Sequence, residues 1–120
     1  MPVRSLNSSV LKWPDATRVE AALRTWAEAI RLQRPDVIRV GYFGSYARGD
    51  WGVGSDLDVI VVVERSATPF SSRGAEWDAT ELPVPADILV YTRAEWEQLH
   101  IDRTPPRLVD EVRWVFVRPS

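Results

Sequence analysis

The sequence predicts one α/β domain of the α+β kind: a mixed β-sheet with helices packed mainly on one face. Three observations predict it. Apolar residues recur at helical spacing between Pro14 and Pro35. Short runs rich in Val, Ile and aromatic residues then appear at 37–43, 57–63, 86–91 and 113–118. Helical patterns lie between these runs, so helices should cover a sheet. A chain of 120 residues holds a single domain, 1–120.

Residues 1–13 are mixed in character and read as a loose leading segment. Pro14-Asp15 is a helix start, with Asp15 as N-cap. Val19, Leu23, Trp26 and Ile30 then share one face, widened by Ala22 and Ala27, which predicts a helix over 16–32. Pro35 stops it. Residues 37–43 form the first strand, and 45–48 suit a short helix opening at Gly44-Ser45. Residues 57–63 form the second strand; it is apolar on both faces beyond Asp58, so it should be central. Pro69-Phe70-Ser71-Ser72 reads as a turn, and 74–82 as holding a short helix that uses Trp77. A third strand spans 86–91, and Thr92-Arg93-Ala94-Glu95 is a capping box for a helix over 93–99. Pro105-Pro106 breaks the chain; one or two helical turns at 107–112 precede a last strand at 113–118.

The totals narrow the function. A net charge of −2 gives no general attraction to nucleic acid or to an anionic membrane. With no cysteine there is neither a disulfide nor a thiolate metal site. No signal peptide or membrane span is read, so the cytoplasm is the expected location.

The chemistry concentrates in residues 44–58, between the first two strands. Four glycines lie here, at 44, 49, 52 and 54, with Ser45 and Ser55. Glycines permit tight turns and close backbone approach to a ligand, and free N–H groups at a helix start bind anions. The stretch ends in Asp56 and Asp58. Side chains two apart on a strand point the same way, so two carboxylates project together, an arrangement suited to a divalent cation. Asp87 is a lone acid among apolar residues of the third strand. It joins the pair if the strands are neighbours. A bound Mg²⁺ would relieve the mutual repulsion of the acids.

Phe43-Gly44-Ser45, then ten residues, then Asp56-Leu57-Asp58 resembles the signature of the DNA polymerase β nucleotidyltransferase superfamily. The wording Ala-Arg-Gly-Asp and Ser-Asp-Leu-Asp is similar to that of the minimal nucleotidyltransferases, over roughly residues 13–99. The resemblance implies a palm-like core. It implies that Asp56, Asp58 and Asp87 are catalytic and bind metal, one or two Mg²⁺ ions. It implies that Gly44 and Ser45 hold a nucleoside triphosphate. Arg48 either joins them in neutralising phosphate or braces Asp50 or Asp56. The implied reaction moves a nucleoside monophosphate, AMP from ATP, to a hydroxyl. Part of the family is the antitoxin of a toxin–antitoxin pair and adenylylates a tyrosine of a HEPN-type toxin, which makes such a toxin the expected partner. Two alternatives stand beside this: an antitoxin acting by binding alone, and a homodimer acting on small molecules.

Several residues carry blander readings. Asp56 and Asp58 also suit a turn, and Ser45 a helix N-cap. His100 reads as a solvated helix end. Trp26, Trp96 and Trp114 fall at core positions, whereas Trp51, in the glycine loop, is expected to be exposed and available to a base or a partner.

Overall fold

Asp15 starts the first helix as its spacing predicts: the Arg18 N–H donates to Asp15 Oδ1 at 2.9 Å. In the computed structural model, which describes residues 13–102 and 106–119, this helix, α1, runs Ala16–Gln33. It buries Val19, Leu23, Trp26 and Ala27. The expected loose segment at residues 1–12 lies outside the described residues, as does the Pro105 half of the Pro105-Pro106 break.

Four strands follow: β1 (Val37–Phe43), β2 (Leu57–Val63), β3 (Ala86–Thr92) and β4 (Arg113–Val117). Their order in the sheet is β3-β2-β1-β4, with β2 interior as expected. β1 runs antiparallel to β2 and to β4, whereas β2 and β3 are parallel. Between β1 and β2 lies α2 (Ser45–Arg48); α3 (Phe70–Arg73) follows β2, α4 (Arg93–Asp102) follows β3, and α5 (Pro106–Glu111) precedes β4.

The sheet is apolar on both sides. The larger core lies under α1 and includes Val40, Tyr42, Leu57, Val59, Val61, Val63 and Val90. The smaller one gathers Ile38, Ile60 and Val62 of the sheet with Trp96 of α4 and Leu108 of α5. Alternate residues of β2 therefore serve opposite cores, as the period of a strand requires. Asp58 falls on the α4/α5 side, in phase with Ile60 and Val62. A register irregularity at the start of β1 lets Val37 and Ile38 serve opposite cores while Val40 and Tyr42 return to the larger one.

A parallel pair needs a long crossover, and here residues 64–85 supply it. Two features pin this segment to the outer edge of β3. The buried Arg73 guanidinium donates to Val90 O at 3.1 Å and to Thr68 O at 2.7 Å, and pairs with Glu95 at 2.6 Å. Such a buried cation is tolerable because its donors are matched. Gly74 comes so close that a Cβ there would sit 2.5 Å from Ile88 O. The segment departs from expectation in two ways. Residues 69–72 were expected as a turn, but Pro69 opens the single helical turn α3. The helix expected within 74–82 shrinks to a 3₁₀ turn, Gly74–Glu76, and Trp77 is extended. Trp77 is buried against Trp26, with ring centroids 6.4 Å apart, rather than through helical packing.

The capping box forms. Glu95 N–H donates to Thr92 Oγ1 at 3.2 Å and Thr92 N–H to Glu95 Oε1 at 2.9 Å. Trp26 and Trp96 are buried, and Trp114 packs against the smaller core. Leu23 has no exposed surface. Leu23→Ala should cost about 2–5 kcal/mol in urea unfolding, since a central site cannot collapse onto the void; a loss below about 1 kcal/mol would show that α1 is loosely held.

Candidate active site

The site is built where β1 gives way to α2. Gly44 has φ +81°, a backbone region that side chains disfavour. A Cβ there would lie 2.4 Å from Asp58 Oδ2, so only glycine lets this turn sit against the carboxylate. α2 is one turn long and ends at Gly49 in the left-handed region. Its N-cap is Gly44, with no side-chain capping bond. Ser45 is thus the first helical residue and not the cap that its type suggests. The turn is anchored from below by Tyr46, which is buried; the Trp13 indole N–H donates to its hydroxyl at 2.8 Å. Trp51 stacks on the other side of Tyr46, centroids 5.6 Å apart and planes at 9°. The expectation of an exposed Trp51 is corrected: it is half-buried and packs the glycine loop onto the core.

The acids come together through sheet register. Asp58 is paired across to Phe43 of β1 on one side and to Asp87 of β3 on the other. Asp58 and Asp87 are each the second residue of their strands, on the face that carries α4 and α5. Asp56 precedes β2 and is exposed. All six residues singled out in the sequence, Gly44, Ser45, Arg48, Asp56, Asp58 and Asp87, line one cavity of about 760 Å³. A neighbouring groove of about 1020 Å³ shares Asp58 and Asp87 and runs beside β3 toward Trp77, Thr80 and Leu82. The acids stand where the two spaces meet.

Electrostatics mark Asp58 as the strained member. Burial pushes its carboxyl above the ordinary value, and the charges of Asp87 and Asp56 push it further; Arg48 opposes them. Among the described residues, no three Asp, Glu, His or Cys side chains close into a ready cage for a metal ion. The donor set nevertheless fits a hard cation. It consists of carboxylate oxygens, with one acid half-buried beside two others, and Mg²⁺ takes few carboxylates and keeps water and phosphate as its remaining ligands. Asp56, Asp58 and Asp87 would hold it.

Arg48 braces Asp50, at 3.1 Å, and does not pair with Asp56. It also reaches Glu111, at 3.2 Å, and the backbone N–H of Gly44 donates to the same Glu111 oxygen at 2.9 Å. Glu111, Tyr91 and Leu108 complete the cavity and were not singled out from the sequence. Nothing in local pattern marks Glu111; it arrives because β4 pairs with β1. His100 lies outside the cavity, its ring against Trp96.

The chain is a mixed four-stranded sheet whose glycine turn and two strand acids share one cavity. The sequence matches the nucleotidyltransferase domain family over residues 23–115, most of its length, and the chain belongs to that family. Its fold is similar to a crystal structure from Sulfolobus solfataricus described as a candidate nucleotidyltransferase. The TM-score is 0.64 at 20% identity, covering 86% of this chain and 84% of the other. No curated protein sequence matches this chain. Among the described residues no helix is long and apolar enough to cross a membrane.

The raised Asp58 has a consequence for stability. An acid whose folded-state pKa exceeds its unfolded value favours the folded state below that unfolded value and loses this contribution as pH rises through the folded one. Asp58→Asn should therefore raise the unfolding midpoint of the metal-free protein at pH 7. The gain should shrink to nothing as pH falls below 3.8, the ordinary value. Thermal unfolding across pH 3–7 reads this directly, and a destabilised Asn variant at pH 7 would contradict it. Gly44→Ala should go the other way, costing more than about 1 kcal/mol at any of these pH values, because it imposes both backbone strain and a clash.

Proposed function

We propose that this chain is a divalent-cation-dependent nucleotidyltransferase that moves AMP from ATP to a hydroxyl on a partner protein. The observation that carries it is the β2–β3 register, which sets Asp87 beside Asp58 next to the Gly44 turn. Gly44, Ser45 and Arg48 face the triphosphate; Asp56, Asp58 and Asp87 face the reacting phosphorus. When bound, Mg²⁺ neutralises phosphate charge and orients the displaced group. The acceptor oxygen forms a bond to the α-phosphorus, and the bond from that phosphorus to the bridging oxygen breaks. Pyrophosphate leaves with the electron pair, and the acceptor's proton passes to Asp87.

The acceptor side favours a macromolecule. The groove beside β3 is broad and open and leads to Asp58 and Asp87, so a protein surface can reach the acids, whereas a small-molecule site encloses most of its ligand. A tyrosine of a HEPN-type toxin suits it, which gives the chain an antitoxin role. The test is incubation with labelled ATP, Mg²⁺ and the product of the neighbouring gene. Label should appear on a partner tyrosine. Asp56→Asn and Asp58→Asn should each lower the rate on the order of a hundredfold or more, as loss of a charge-stabilising group at a transition state does. Intact neutralisation of the partner by both variants, with no label on it from the wild type, would leave binding alone as the mechanism.

A further inference from the structure

Glu111 lines the glycine end of the cavity. Its Oε1 accepts from the Gly44 N–H at 2.9 Å and from the Arg48 guanidinium at 3.2 Å. These are the backbone donor and the cation that line the glycine end of the cavity. A carboxylate held by a backbone N–H and a guanidinium makes the contacts that a phosphate oxygen makes. An acid would not otherwise be favoured here, because its charge adds to that of Asp56, Asp58 and Asp87. Glu111 is among the charges that push Asp58 upward, so its field reaches the reacting end of the site.

The fold delivers Glu111 to this point. It ends α5, and β4 begins at Arg113, opposite Tyr42 of β1. Gly41, opposite Trp114, lets β4 lie close on β1: a Cβ there would be 2.8 Å from Arg113 O and from Val112 Cγ1. The last residue of α5 is thereby carried past the end of β1, onto Gly44.

We infer that Glu111 is a built-in competitor for substrate phosphate, occupying Gly44 N–H and Arg48 until a nucleoside triphosphate displaces it. The inference rests on the nucleotidyltransferase reading above, which gives those two groups to the phosphates. One N–H and one guanidinium edge do not serve two anions fully at once, so nucleotide entry frees the Glu111 side chain toward solvent. Arg48 exchanges one anion for another and keeps its charge matched in both states. A site guarded in this way stays closed to weakly bound anions such as inorganic phosphate. A triphosphate, carrying more charge and arriving with a cation, opens it.

The experiment is titration of the full chain with ATP and Mg²⁺, and separately with pyrophosphate, followed by calorimetry. Wild type is compared with Glu111→Gln, which removes the charge, and Glu111→Ala, which removes the acceptor as well. Release of a charge-assisted hydrogen bond is worth on the order of tenfold in affinity. Both variants should therefore bind ATP about tenfold more tightly, Ala at least as tightly as Gln, with pyrophosphate affinity rising in parallel. In steady state KM should fall without loss of kcat. If both variants bind more weakly and turn over more slowly, Glu111 is a brace for Arg48 and the inference is overturned. Unchanged affinity in both overturns it as well. If wild type and variants alike bind no nucleotide, the nucleotidyltransferase reading fails first and the inference with it. Unfolding midpoints of the variants separate weak binding from poor folding.

Discussion

The parallel pairing of β2 with β3 is the constraint on which the rest depends. Register along two parallel strands brings Asp87 level with Asp58. A slip by one residue would turn one of the two acids to the opposite face. Local sequence does not hold that register. β2, apolar beyond Asp58 and buried on both sides, and the crossover pinned by Arg73 and Gly74 hold it. The buried guanidinium matters here as a clamp: it ties Val90 of β3 to Thr68 of the crossover and to Glu95 of α4.

Charge is distributed unevenly along β2. At its start Asp58 is half-buried beside other acids and is shifted upward. Just past its end, Glu64 accepts from both Arg93 and Arg118, and these hold its carboxyl down at about 2. One end of the strand is thus electrostatically satisfied and the other is not. Glu64 supports the fold above its ordinary pKa and loses that support only as pH falls through about 2. Asp58 works against the fold over the same neutral range. A half-buried acid kept at a stability cost in a small domain is a candidate ligand-binding group.

Backbone without side chains is used where two segments must touch. Gly44 admits the Asp58 carboxylate, Gly41 admits the start of β4, and Gly74 admits the edge of β3. Two of the three serve the site directly, one by closing the turn on Asp58 and the other by bringing Glu111 over it. The aromatic residues of the glycine loop do structural service, since Trp51 and Trp13 both act through Tyr46.

By itself the sequence determined the elements and the chemistry-bearing residues. Helical spacing set α1, the capping box set α4, and the apolar runs set all four strands, because these signals act within a few residues along the chain. The glycine turn and the Asp-x-Asp pair were legible for the same reason. The crossover was not: α3 and the extended Trp77 depend on packing against Trp26 and β3, which no local pattern reports. Only the tertiary structure decided that β4 lies beside β1, that Trp51 is a packing residue, and that Glu111 reaches Gly44 and Arg48. Each of these is a contact between segments far apart in the chain, and strand pairing, not propensity, sets which segments meet.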